Sequence, residues 1–189
     1  MKIKKIKRIK CGIKNIKGKK IYISAVKALA ASLLFFALNF SCAVKAACGF
    51  SRSALIETII SASRKYDIQL PFLVAVMRAE SGFNIGSLSP KGAVGLMQVM
   101  PETGRELALN IKNPLLNIIA GAKYLHYCLK RFDFAPVPAL ACYNAGPDSV
   151  RTIFANSRPS FIIPPYRDTE IYILRVYKYY NYYRKVLRK

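Results

Sequence analysis

The chain has 189 residues and a formal net charge of +22, from 31 Lys and Arg against 9 Asp and Glu. One histidine, and cysteines without a C-x-x-C spacing, argue against a zinc site, and no Gly-rich phosphate loop is present. So large a charge points toward nucleic acid or an anionic surface, but its distribution changes that reading: residues 1–46 hold 12 of the basic residues and no acid.

That first segment has the layout of a signal peptide. A basic region, Met1 to Lys27, precedes the apolar run "ALAASLLFFALNF" from Ala28 to Phe40. Small residues follow, and Val44 and Ala46 fit the −3 and −1 positions of a cleavage site, leaving Ala47 as the new N-terminus. An uncleaved anchor is the alternative, because the uncharged run from Ala28 to Val44 is at the lower limit for a membrane span. Either way the expected location is the periplasm, with membrane contact only through this segment. Residues 47–189 then make one domain, a length able to bury about 68–70% of its unfolded surface. Export would permit a disulfide, with Cys128 and Cys142 the favoured pair; buried free thiols fit the sequence equally.

The remaining chain has helical periodicity. "SRSALIETIISASRKYDI" puts Leu55, Ile56, Ile59, Ile60 and Ser63 on one side. "PFLVAVMRAESGF" opens on Pro71 and stops at Gly82. "SLSPKGAVG" is a loop, and "PETGREL" a helix start. "NPLLNIIAGAKYLHYCLKRF" is the clearest amphipathic helix, capped by Asn113, with Leu115, Ile118, Ile119, Ala122, Leu125, Leu129 and Phe132 as its stripe. A shorter helix ends near Asn144-Ala145-Gly146, another follows Pro147, and the last runs from about Asp168 to Val186. Strand-like alternation is nearly absent and no hairpin is evident. The expected fold is all-α, a single domain of about seven helices after the signal peptide.

Few residues are left to carry chemistry. A Ser-His-Asp triad would need His126, which sits within a long helix and reads as structural. Carboxylates and tyrosines remain. Glu80 follows Leu73, Val76 and Met77 on the apolar face of its helix. Burial there would raise its pKa and make it a general acid near neutral pH. Helix spacing alone leaves the plainer readings open: a rim carboxylate, or a buried one paired with Lys or Arg.

Four blocks in series decide between them. "AESGFN" around Glu80, "SPKGAVGLMQVMP" from Ser89, "ALACYNAGPDSV" from Ala139 and "PPYRDTEIY" from Pro164 resemble, in this order, the catalytic domain of lytic transglycosylases of the soluble type, related to goose-type lysozyme. The resemblance covers about 54–183. It implies a lysozyme-like, mostly helical fold with a glycan groove and no metal or cofactor. The implied activity is cleavage of the β-1,4 bond between N-acetylmuramic acid and N-acetylglucosamine in peptidoglycan, leaving a 1,6-anhydromuramic end. The glutamate of the "ES" block, here Glu80, would act as acid and then as base. By the same resemblance Ser89 contacts the muramic N-acetyl group and Gln98 and Met100 line the groove. Tyr143 would orient the catalytic carboxyl, Asn144 line the site or hold its turn, and Tyr172 stand at the cleft as a second tyrosine. Gly92 and Gly95 read as backbone requirements, and Met97 as core rather than groove. Two departures stand out: Cys142 where the family often has alanine, and Asp168 where it often has glutamate.

The expected partner is therefore the peptidoglycan glycan strand, in wall turnover or in local wall opening for a secretion or conjugation apparatus. A muramidase using water and a non-catalytic glycan-binding scaffold are the competing readings. The tyrosine- and lysine-rich end, "YKYYNYYRKVLRK", reads as a closing helix with solvated basic residues rather than a nucleic-acid surface.

Overall fold

A computed structural model describes residues 50–155, 158–162 and 166–187. The signal-like segment 1–46 and Cys48 lie outside the described residues. Among those described, no helix is long and apolar enough to cross a membrane.

Six α-helices form the described body: α1 (Arg52–Lys65), α2 (Leu70–Ser81), α3 (Pro101–Glu106), α4 (Pro114–Arg131), α5 (Pro136–Ala145) and α6 (Arg167–Val186). Their starts follow local chemistry. The Ser51 hydroxyl accepts the Ala54 amide at 3.1 Å, and Asn113 Oδ1 accepts those of Leu115 and Leu116 at 2.9 and 3.2 Å. Proline stands in the first turn of α2 to α5. Gly82 ends α2 in the left-handed conformation, φ 62°, which a residue with a Cβ adopts only under strain.

Helix α2 is the spine. Phe72 to Met77 are buried without interruption, so every side of the helix is covered there. α6 packs along it; α1 and α5 pack on α4, and α5 also meets α6. A disulfide joins Cys128 of α4 to Cys142 of α5, with their Cα atoms 5.8 Å apart.

Two expectations need correction. Pro147 opens only a three-residue 3-10 turn, Pro147–Ser149. An antiparallel hairpin follows it, β1 (Arg151–Ala155) with β2 (Arg158–Ile162), Arg151 opposite Ile162. The second concerns α4. Leu115 and Ile119 are only half-buried, whereas Asn117, Ala120 and Gly121 are fully enclosed. The loop 82–100 causes this by lying on a second side of the helix.

That loop is anchored by Asn117, which has no exposed surface. Its Oδ1 accepts the Met97 amide at 2.9 Å, and its Nδ2 donates to the Val94 and Ile111 carbonyls at 2.8 and 3.0 Å. Gly95 must be glycine twice over: its φ is 76°, and a Cβ would sit 2.8 Å from Asn117 Nδ2. Met97 is fully buried, as expected of a core residue, and a Cβ on Gly121 would collide with its side chain.

Replacing Asn117 by alanine is expected to cost about 2–4 kcal/mol, because the buried Met97 amide is left without an acceptor. Removing the Asn113 cap should cost only about 1 kcal/mol. Thermal melts followed by circular dichroism compare the two; equal losses would mean that Asn117 is not the anchor.

Candidate active site

Glu80 occupies the last turn of α2, two residues before the Gly82 reversal. The residue is partly exposed, yet its carboxyl is closely surrounded, and this desolvation raises its pKa from 4.5 to about 7. The negative end of the α2 dipole acts in the same direction. Two groups on α6 oppose it, namely hydrogen bonding from Tyr172 and the charge of Arg175. Arg78, two residues earlier on α2, is turned elsewhere: its guanidinium lies over the Phe83 and Tyr179 rings, 5.7 and 5.8 Å from their centroids.

Two buried phenols adjoin the carboxyl. Burial first, and the Glu80 charge second, hold both Tyr143 and Tyr172 well above the ordinary tyrosine range, so both keep their protons. Their hydroxyls serve differently. Tyr143 donates to the Met97 carbonyl at 2.8 Å. Tyr172 Oη, though buried, has no partner at full hydrogen-bond geometry, and its hydrogen-bonding influence falls on Glu80. The tyrosine best placed to orient the carboxyl is thus Tyr172, while Tyr143 braces the loop below it.

Ser81 is also a brace. Its hydroxyl has one proton and two candidate carbonyls, Leu96 at 2.8 Å and Met77 at 3.3 Å; distance favours Leu96. The same oxygen accepts the Phe83 amide at 3.1 Å. Loop 82–100 is therefore tied to α2 through Ser81, to α4 through Asn117 and to α5 through Tyr143.

The other sequence-derived residues divide between loop and helix ends. Ser89 Oγ accepts the Ala93 amide at 2.9 Å, which leaves its proton for an acceptor outside the loop. Gln98, at φ 46°, spends its amide nitrogen on the Ser87 and Gly95 carbonyls at 3.2 and 2.9 Å. Only its Oε1 remains for a ligand. Met100 caps α3 with its side chain at the surface. Asn144 Oδ1 accepts from the Thr169 hydroxyl at 3.0 Å, docking the end of α5 on the first turn of α6, one turn before Tyr172. His126 lies between the Tyr66 and Phe134 rings.

The sequence reading missed Arg175 and Asn117. Arg175 was detectable in principle, since it stands three residues after Tyr172 on the same side of a helix. As a whole the cluster offers a carboxyl able to give and take a proton near neutral pH, between two phenols that stay protonated.

Residues 57–160 match the family model described as the transglycosylase SLT domain. That stretch contains Glu80, Ser89, Gln98, Met100, Tyr143 and Asn144; Tyr172 lies beyond it. The soluble lytic murein transglycosylase of Salmonella typhimurium is 34% identical over 139 residues, which cover 65% of this chain and 22% of that protein. The chain thus spans about a fifth of the length of that relative. Two solved structures are similar. Lytic transglycosylase Slt from Pseudomonas aeruginosa, an inactive mutant, aligns with TM-score 0.56 and 26% identity, over 68% of this chain and 24% of that one. The 70 kDa soluble lytic transglycosylase from Escherichia coli aligns with TM-score 0.55 and 25% identity over the same shares.

The raised pKa of Glu80 has a consequence for stability. Between pH 4.5 and about 7 the folded protein holds a proton that the unfolded chain releases. Stability therefore falls as pH rises through this window. Glu80→Gln, which carries no charge, should be more stable than the native protein by about 3 kcal/mol at pH 8 and nearly equal to it at about pH 4. Urea denaturation across this range measures the difference; a gap independent of pH would contradict a raised pKa.

Proposed function

The chain belongs to the transglycosylase SLT domain family, and from that membership and the setting of Glu80 we propose that it is a peptidoglycan lytic transglycosylase. The observation that carries the reading is a carboxyl whose pKa of about 7 lets it serve as acid and base in turn.

The reaction is a proton relay through one residue. Protonated Glu80 gives its proton to the glycosidic oxygen between N-acetylmuramic acid and N-acetylglucosamine, and the C1–O bond breaks. The carboxylate then takes the proton of the C6 hydroxyl as that oxygen bonds to C1. The muramic sugar ends as a 1,6-anhydro ring, the other sugar leaves with a free hydroxyl, and Glu80 regains its starting proton. Most glycosidases use two carboxylates. Here no carboxylate is among the groups that act on the Glu80 charge; those are Tyr172 and Arg175. Tyr172 steadies the carboxylate form after the first transfer, and Arg175 adds electrostatic support.

Supporting roles follow from the hydrogen bonds. Ser89 has a hydroxyl proton to offer an N-acetyl carbonyl, and Gln98 an amide oxygen to accept from the sugar. Met100 contributes apolar surface to the groove, while Tyr143 and Asn144 hold its walls. The signal-like segment 1–46 supports export to the periplasm. Wall turnover, or local wall opening for a secretion or conjugation apparatus, is the setting that suits such an enzyme.

Incubation of the protein with purified peptidoglycan should yield anhydro-ended muropeptides by mass spectrometry, and Glu80→Gln almost none. Because the first step needs the protonated acid, kcat/KM should fall about tenfold per pH unit above pH 7. Equal activity from Glu80→Gln would remove Glu80 from the reaction, and reducing ends instead of anhydro ends would reassign the chemistry to hydrolysis by water.

A further inference from the structure

One cluster of side chains is left unused by this reaction. On α4 the Tyr124 and Tyr127 rings stack, with centroids 5.9 Å apart and planes 19° apart. Tyr124 also meets Tyr143, at 5.4 Å between centroids. Tyr124 thus links the phenol beside Glu80 to Tyr127, which is 44% exposed at the molecular surface.

Tyrosines three apart on a helix stabilise it by only about 0.2–0.5 kcal/mol, and an apolar pair would do the same. What surrounds the outer ring is less easily explained by helix stability. Arg131 reaches the Tyr127 hydroxyl at 3.5 Å and the Asp148 carboxylate at 3.8 Å. The ion pair is loose, and the Asp148 side chain is 97% exposed, so both groups can take new partners. Tyr124 is raised above its ordinary pKa by burial first, then by Tyr127, Glu106 and Asp148, which puts Glu106 close by as well. A flat ring edged by planar charged groups suits a pyranose: its C–H face packs on the ring while its hydroxyl and acetamido groups take the hydrogen bonds.

We propose that Tyr127, backed by Tyr124 and rimmed by Arg131 and Asp148, is a secondary subsite that holds a sugar of the glycan strand away from the bond being cleaved. The inference rests on the function proposed above and names where a longer strand is gripped. The ring-to-ring steps are comparable with the spacing of neighbouring sugars along a β-1,4 chain. A strand passing Tyr143 therefore meets Tyr127 within a few sugars. Grip at that distance strengthens binding of substrate and transition state alike, so it acts on KM rather than kcat.

The test compares the native protein with Tyr127→Ala, Tyr127→Leu and Tyr127→Phe on uncrosslinked peptidoglycan strands fractionated by length. For long strands, Tyr127→Ala and Tyr127→Leu should raise KM about tenfold with kcat within about twofold, on the scale of one stacking contact. Tyr127→Phe should match the native enzyme, and none of the three should alter KM for fragments too short to reach the ring. Tyr127→Leu keeps apolar cover on Tyr124, so it separates loss of the ring face from loss of folding. In parallel, binding of intact long strands is measured calorimetrically in the Glu80→Gln background. The same tenfold weakening by Tyr127→Ala is expected there. Unchanged KM and unchanged binding at every length would overturn the subsite while leaving anhydro products, and the proposed activity, intact. Absence of anhydro products from the native protein would instead sink the activity, and the binding arm would still decide whether Tyr127 grips glycan.

Discussion

The site depends on how Met97 is held. Its amide goes to Asn117, its carbonyl to Tyr143, and its side chain fills the space left by Gly121. These contacts fix loop 82–100 against α4 and α5, and Ser81 fixes the neighbouring carbonyl of Leu96 to α2. Glu80 is the residue before Ser81, so the carboxyl inherits its register from this anchorage. None of the anchoring groups needs to touch substrate. They set the shape of the site by satisfying buried backbone groups that would otherwise cost about 1–3 kcal/mol each.

The setting of Glu80 is a balance rather than a simple burial. Desolvation and the helix terminus favour the neutral acid, whereas Tyr172 and Arg175 favour the anion. A carboxyl buried without such opposition would stay neutral and could not accept a proton in the second half of the proposed relay. A fully hydrated one would rarely carry a proton to give. The two α6 residues bring the acid to the middle of that range; the desolvation they only partly offset costs folding stability, as is found where a site is built for chemistry.

The sequence showed the helical fold and the position of Glu80 because both rest on short-range periodicity. Leu73, Val76 and Met77 share a helix with Glu80, and the residue spacing puts them on one face. Periodicity could not show which groups meet Glu80 from a distant helix; Tyr143 and Tyr172 were expected only through the blocks they stand in, and Arg175 was not expected at all. The expected role of Tyr143 as the orienting phenol came from the block it stands in; its hydroxyl is engaged by a backbone carbonyl 46 residues earlier in the chain. Asn117 escaped notice because one apolar stripe was assumed for α4, whereas the helix is covered on two sides. The hairpin escaped because Pro159 lies within β2, and proline ordinarily counts against a strand. A two-stranded ribbon has only edge strands, where the missing amide proton can be tolerated.

The bonds that build this site also determine when it exists. Ser81 to Leu96 spans 15 residues, Asn117 to Met97 spans 20, and Tyr143 to Met97 spans 46. Tyr172 comes from later still. Contacts so far apart in the chain close only when the body has folded as a unit. No early fragment, and no chain held extended, brings the carboxyl and its two phenols together. For a protein whose proposed substrate is the load-bearing wall of the cell, completion of folding is itself the safety catch.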